Sequence, residues 1–284
     1  MEVLSDILRA MRVSGSVYFC ERLSAPWSQE FGDPEHASFH LVRKGECFLN
    51  SGGTEEHLHA GDFIFVEADR KHTLSDSSQD GTPGTTDTIL LCGYCALDAP
   101  ARHPLLEALR SLTIVRAEEL ERHAWLKSTL EQLSNEYEAA TPGSEVVVDR
   151  LTEVLLVELI RINFGRSETA GFIRALYDKP IARTLALMHD KPEENWTLEG
   201  LATEAAMSRS AYAARFKDLV GQTMFEYLTA VRMQRAQGLL RDSGLSLPKI
   251  AERVGYTSRL AFSKAFKRLT GTTPSRYRRQ ARAN

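Results

Sequence analysis

The chain contains no apolar run near the 18 or so residues that a membrane-spanning helix needs. Its longest, Ile89 to Leu97, is nine residues and is interrupted by Gly93. The start, Met1-Glu2-Val3-Leu4-Ser5-Asp6, lacks the basic opening of a signal peptide, so the expectation is a cytoplasmic protein with no membrane partner. Cysteine is scarce: four residues in 284 do not make a disulfide framework, and in a reducing compartment they are thiols. The 18 glycines and 10 prolines are scattered, and no heptad runs the length, which excludes collagen-like and coiled-coil structure. No P-loop, Ser-His-Asp set or paired-carboxylate pattern is present, so the chain is not expected to be an enzyme.

What is present is ordinary globular material, 43% hydrophobic and 26% charged, enough for a core and for about two domains at roughly 150 residues each. The net charge of −3 hides an asymmetry. Residues 183–284 hold 18 Lys+Arg against 9 Asp+Glu, a net +9, while residues 1–182 carry −12. A basic C-terminal third on an acidic body suggests a polyanion-binding module attached to something else.

Residues 1 to about 100 read as short strands and turns. Ser16–Cys20, Ser38–Val42, Gly45–Leu49, Phe63–Val66 and Thr88–Leu97 are β-prone runs, and a polar loop spans Ser75–Asp87. This spacing suggests a small barrel or sandwich after an early helix, Val3–Met11. From Pro104 the pattern turns helical. Pro104–Leu109 opens a short helix, and Trp125, Leu126, Leu130, Leu133 and Tyr137 mark a second that Pro142-Gly143 ends. Val146–Phe164 has a wide apolar stripe, suited to a bundle core or to a dimerisation helix. Gly165–Lys179 reads as a linker. The division is a sensor-like domain over 1–100, a helical dimerisation and linker region over 101–178, and a basic domain over 179–284. The fold class is α+β, a β-barrel plus helices followed by an all-α domain.

The basic domain contains a repeat. Leu201-Ala202-Thr203-Glu204-Ala205-Ala206-Met207-Ser208 returns as Ile250-Ala251-Glu252-Arg253-Val254-Gly255-Tyr256-Thr257-Ser258, with one extra turn residue. Beyond the turn, Ser208, Tyr212 and Phe216 match Ser258, Phe262 and Phe266 at an offset of 50. The pattern is helix-turn-helix. Small Ala202 and Ala251 let the second helix pack close, Gly255 suits a turn with φ > 0, and Ser208 and Ser258 are N-caps. Aromatic residues four apart face the core. The opposite face shows Arg209, Ser210, Ala213, Ala214 and Lys217 in one copy and Arg259, Leu260, Ser263, Lys264 and Lys267 in the other. The alanines offer little hydrogen bonding but can meet a thymine methyl. Phe225–Arg241 forms a connecting rod of about 25 Å, near the ~34 Å of one DNA turn. Its Arg-rich face argues against a buried bundle helix.

Arg253-Val254-Gly255-Tyr256-Thr257-Ser258, then Phe262, Phe266-Lys267, Gly271, Pro274 and Tyr277-Arg278, resemble the C-terminal signature of AraC-type transcriptional regulators. Trp196-Thr197-Leu198, Tyr227-Leu228, Arg232-Met233, Ala236 and Leu239-Leu240 fit its upstream part, with Met224 where many relatives carry Pro. The resemblance implies sequence-specific binding of promoter DNA and contact with RNA polymerase. Arg209, Arg259 and Lys264 are the leading base or phosphate contacts, and Arg232, Lys267, Arg276 and Arg278 position phosphates.

Phe39-His40-Leu41-Val42, Gly45, Leu58, Gly61-Asp62-Phe63-Ile64-Phe65-Val66 and His72-x-Leu74 resemble the cupin domains that precede this DNA-binding domain in one branch of the family. Cys92-Gly93-Tyr94 and His103-Pro104-Leu105 fit the same branch. Cupins often hold a metal through His-x-His, a Glu and a later His, but here that pattern is broken. His36 and His40 are four apart, and Glu67 and Asp69 stand where Pro and Gly are usual. His57-Leu58-His59 alternates like ligands, yet both histidines read as satisfied or exposed. No metal and no cofactor are expected. Cys92 and Cys95 point to opposite faces of a strand, which disfavours zinc. The resemblance also implies a redox role for Cys20 and Cys92, because some relatives answer oxidants through cysteines; buried apolar thiols are the other reading. The whole reads as a homodimeric regulator with an oxidant or small-molecule effector. The competing class, a metal-dependent cupin enzyme such as a dioxygenase or isomerase, needs convergent ligands that the sequence does not supply.

Overall fold

The computed structural model describes residues 4, 5, 7, 8, 13–78, 81, 87–97, 112–166 and 171–281. By its internal contacts the chain divides into two units. One comprises Val13–Leu97 and Leu109–Arg166, and the other contains Ser167–Asn284 together with Met1–Arg12 and Asp98–Ala108.

The first unit is built on two antiparallel sheets. Strands β1 (Val13–Ser24), β8 (Asp87–Leu97), β3 (Ala37–Lys44), β6 (Phe63–Val66) and β9 (Thr113–Val115) form one sheet in that order. Strands β2 (Ser28–Phe31), β7 (His72–Ser75), β4 (Glu46–Ser51) and β5 (Thr54–His59) form the other. Between them lies a core of Val42, Cys47, Leu49, Leu58, Ile64, Val66, Leu74, Leu90 and Cys92, all removed from solvent. Helices α1 (Ala117–Leu120), α2 (Ala124–Ala139) and α3 (Ser144–Arg166) follow the last strand. A methyl at Gly15 of β1 would lie 2.5 Å from Thr152 Cγ2, so α3 packs tightly on the outer face of the first sheet.

Among the described residues the second unit has helices and no strand: α4 (Gly171–Tyr177), α5 (Lys179–Asp190), α6 (Leu198–Glu204), α7 (Arg209–Val220), α8 (Met224–Asp242), α9 (Leu247–Arg253), α10 (Arg259–Thr270) and α11 (Pro274–Ala281). Among the described residues no helix is long and apolar enough to cross a membrane.

Several sequence expectations change. The strand region does not end at Leu97, because Thr113–Val115 pairs with β6 and completes the first sheet. The linker read over Gly165–Lys179 contains helix α4, whose Phe172 and Ala175 are buried; Phe172 lies 6.0 Å from Tyr227 ring to ring. Trp125 is off the buried stripe and 73% exposed, since the inward residues of α2 are Leu126, Thr129, Leu130, Leu133 and Ser134. Helix α8 is a buried central helix after all, with Tyr227, Leu228, Met233, Ala236 and Leu240 among nine buried positions. The Pro104–Leu109 helix lies outside the described residues. Of Val3–Met11 only Leu4, Ser5, Ile7 and Leu8 are described, and they are helical.

Candidate DNA interface and sensor thiols

The two helix-turn-helix copies share one construction. In each, the first helix ends in a left-handed residue, Ala206 (φ 53°) or Gly255 (φ 79°). The next N–H reaches back to the small residue of that helix: Met207 N donates to Ala202 O and Tyr256 N to Ala251 O, both at 2.9 Å. Ser208 and Ser258 then cap α7 and α10, accepting from Ala211 N at 3.3 Å and Ala261 N at 3.4 Å. Gly221 and Gly271 close the two helices in the left-handed conformation.

The repeat runs further than its first reading. Thr223-Met224 corresponds to Thr273-Pro274, and Tyr227 to Tyr277, again 50 apart. Both tyrosines meet the second helix of their copy edge-on: Tyr227 on Phe216 at 5.9 Å and 74°, Tyr277 on Phe266 at 5.5 Å and 76°. Within the helices, Tyr212–Phe216 and Phe262–Phe266 lie 5.7 and 5.8 Å apart. An aromatic stack thus fixes α7 and α10 each against the helix that follows it. Met224 and Pro274 are both buried, so Met224 fills the place Pro holds in the second copy.

The residues assigned to DNA lie as follows. Arg209, Ser210, Ala214 and Lys217 are exposed on α7, and Ala213 is partly covered. Arg259, Leu260, Lys264 and Lys267 are exposed on α10, Leu260 by 65%, while Ser263 is partly covered. Arg276 is exposed on α11. Among the described residues these arginines and lysines make no ion pair, whereas neighbouring Arg215 is held by Asp178. Two of the assigned residues are engaged within the unit. Arg232 is spent inside the unit: its Nε donates to Pro192 O at 2.6 Å and its Nη2 to Glu194 O at 2.8 Å, and its guanidinium sits 5.7 Å from the Tyr256 ring centre. Arg278 Nη2 donates to Leu245 O at 2.6 Å. Both tie loops to helices, which engages part of each guanidinium within the unit.

In the barrel unit, Cys20 and Cys92 do not meet. Cys92 pairs with Phe19 across β1–β8, and Cys20 with Leu91. Adjacent residues of a strand face opposite ways, so the two thiols lie on opposite faces of one sheet. Cys20 is half-exposed. Arg43 Nη1 donates to its sulfur at 3.3 Å, Glu138 Oε1 lies 3.7 Å away, and Arg43 and Glu138 pair with each other. Burial raises the Cys20 pKa, while the Arg43 guanidinium works to lower it.

Cys92 is sealed in the core at the end of a chain of hydrogen bonds. Its sulfur is 2.9 Å from His40 Nδ1, His40 Nε2 is 2.9 Å from His72 Nε2, and His72 Nδ1 is 3.1 Å from Arg70 O. A carbonyl only accepts, so His72 Nδ1 donates to it and presents a bare Nε2. His40 Nε2–H then donates to that nitrogen, and its bare Nδ1 accepts from the Cys92 thiol. Every group in the chain is neutral. Burial pushes His40 well down, lowers His72 and raises Cys92 well above the ordinary thiol value.

This arrangement also tests the interior metal of cupins. His40 stands in line between His72 and Cys92 with both ring nitrogens engaged, so the donors share no common point, and the residues do not fit such a metal. Asp62 joins two parts of this unit. Its buried carboxylate accepts from Ala117 N (2.9 Å), Arg116 Nη1 (2.9 Å) and His59 N (3.1 Å), joining β5 to the start of α1.

Residues 2–165 match the cupin family, and residues 201–280 match the helix-turn-helix domain family. A putative AraC-like transcription regulator of Streptomyces antibioticus is 31% identical over 98% of this chain and 99% of its own length. The RCS-specific HTH-type transcriptional activator RclR of Escherichia coli is 27% identical over 99% of both chains. The crystal structure of the DNA-binding domain of AdpA, a global transcriptional factor, in complex with a target DNA is 34% identical. It covers 37% of this chain and 94% of its own, with a TM-score of 0.35. With a cupin half followed by a double helix-turn-helix half, the chain belongs to the AraC-like transcription regulators.

Proposed function

We propose that the helical unit grips double-stranded DNA with α7 and α10 in successive major grooves, and that the barrel unit adjusts this grip in response to an oxidant. The observation that carries the DNA reading is the pair of matched helices, each capped by serine, fixed by an aromatic stack and presenting exposed cations that make no ion pair among the described residues. They are joined through α8, 19 residues or about 28 Å long, a length suited to a spacing near one DNA turn. Arg209, Arg259 and Lys264 reach base edges or phosphates, Leu260 offers an apolar contact for a thymine methyl, and Lys217, Lys267 and Arg276 hold phosphates.

For the sensor, Cys20 is the thiol that solvent reaches, and Arg43 partly offsets the burial that raises its pKa. Oxidation of its sulfur disturbs the Arg43–Glu138 pair between β3 and α2. An activator that contacts RNA polymerase fits the family. Val146, Val147 and Val154, exposed on α3, suit a homodimer. One observation favours a second reading, a small ligand as effector. A cavity of about 450 Å³ lies within the barrel unit, lined by apolar Leu41, Leu120 and Leu130 and by charges of both signs, Arg43 and Lys127 with Glu121 and Glu131.

The test is fluorescence anisotropy on DNA from upstream of the protein's own gene and on unrelated DNA, at fixed salt, reduced and after mild hypochlorite. Competitor-resistant binding that changes on oxidation, and fails to change in Cys20→Ser, is the expected result. Specific binding indifferent to oxidation overturns the thiol reading in favour of the cavity. A selection of genomic fragments that yields no bound sequence overturns the DNA reading.

A further inference from the structure

The outer face of the β4–β5 hairpin holds three side chains that neither the DNA interface nor the thiols use. Glu46 lies on β4, and His57 and His59 lie on β5, the edge strand of the second sheet. Glu46 pairs across the strands with His59, and Phe48 with His57. Leu58, between the histidines, is fully buried in the barrel core, so His57 and His59 point away from that interior. Their side chains are 43% and 60% exposed, and that of Glu46 is 23% exposed.

Glu46 Oε2 lies 3.1 Å from His57 Nε2 and 3.5 Å from His59 Nδ1. One ligand atom from each of the three residues falls within 4.8 Å of the others. A tetrahedral zinc ion with bonds of about 2.1 Å needs ligand atoms about 3.4 Å apart. We propose that Glu46, His57 and His59 form a site for a divalent transition ion of the zinc class, with water in the fourth position.

The surroundings hold the donors in place. The His57 ring stacks on Phe48 at 4.4 Å and 11°, which fixes its plane. The β5 backbone is tied on both sides of Leu58: Arg116 Nη1 donates to His57 O at 2.8 Å, and His59 N donates to Asp62 Oδ2 at 3.1 Å. Arg116 brings a positive charge near the site, but it is paired with Glu56 and Asp62 at 2.6 and 2.9 Å. Metal binding requires His57 to carry its proton on Nδ1 and His59 on Nε2. A neutral imidazole meets this by changing tautomer, with no net proton lost. The ion then replaces the His57–Glu46 hydrogen bond and the 3.5 Å His59–Glu46 contact with three coordinate bonds, and it clips the edge strand to its neighbour. The ligands are imidazole and carboxylate and exclude the thiols, and they lie on the outside of the barrel.

The test uses the full chain, stripped with a chelator and titrated with zinc chloride by calorimetry in a buffer that does not bind metal. One equivalent is expected to bind saturably. Glu46→Gln and the double variant His57→Ala/His59→Ala are each expected to weaken binding about tenfold or more, and Cys20→Ser to leave it unchanged. Cobalt(II) provides a readout on the unaltered chain: tetrahedral d–d bands with no thiolate charge-transfer band. Absence of saturable zinc binding overturns the site. So does uptake that is unchanged in folded Glu46→Gln, or a cobalt spectrum with a thiolate band that disappears with the cysteines.

Discussion

Ala206 and Gly255 hold the same left-handed turn position, and only one of them is suited to it. A Cβ in this region costs about 1 kcal/mol or more, so Ala206 at φ 53° carries strain that Gly255 at φ 79° avoids. Ala206→Gly is expected to raise stability by about 0.5–1 kcal/mol, seen as a higher urea midpoint at unchanged slope. Gly255→Ala is expected to cost more, about 2–4 kcal/mol. Its Cβ would add to the backbone strain by standing 2.7 Å from Arg232 Nη2 and 2.8 Å from Glu193 O. A stabilising Gly255→Ala would refute the shared geometry. The alignment of these two residues was legible in sequence because turn chemistry is local. The fate of Arg232 was not. A guanidinium satisfies carbonyls and phosphates alike, and the carbonyls that hold it belong to Pro192 and Glu194, some 40 positions away in the chain.

At the scale of elements the same contrast separates two arginine and lysine roles. Lys264 is exposed on α10 and makes no ion pair among the described residues, whereas Arg232 closes a loop onto α8. Lys264→Ala is expected to lower specific DNA affinity by about 1–3 kcal/mol and leave the melting temperature unchanged. Arg232→Ala is expected to do the reverse, lowering the melting temperature while the folded fraction binds as before. An equal loss on unrelated DNA would make Lys264 a phosphate contact only. Helices α7, α8 and α10 were readable because their stripes recur with period 3.6 and their caps are serine or threonine. Strands β3, β4, β6 and β8 were readable from apolar runs. Strands β2 (SQEF) and β5 (TEEHLH) were not, because edge strands turn few apolar side chains inward; in β5 only Leu58 is buried. The convergence of Glu46 with His57 and His59 was hidden for the same reason: it depends on the register between two strands.

Across the whole molecule, each unit keeps neutral histidines where water would protonate them at mild acidity. In the barrel these are His40 and His72. In the helical unit it is His189, whose Nε2 lies 2.8 Å from Tyr227 OH and whose pKa burial lowers to about 4. The unfolded chain takes up these protons near pH 6.5, and the folded chain does so only at lower pH. Between those values the unfolded state binds more protons, so stability falls as pH drops. For His189 the window runs from about 6.5 to about 4, and the loss across it is at most about 3 kcal/mol. The two units are therefore both expected to lose stability on acidification through this range, each through its own histidines. His189→Gln preserves an acceptor for the Tyr227 hydroxyl and removes the titration. Calorimetric scans from pH 7 to pH 4.5 should then show the helical unit's transition falling less steeply in His189→Gln than in the parent, while the barrel transition keeps its slope. Equal slopes for the helical transition in both proteins would mean that His189 is protonated in the folded chain, and that Tyr227 is held by other partners.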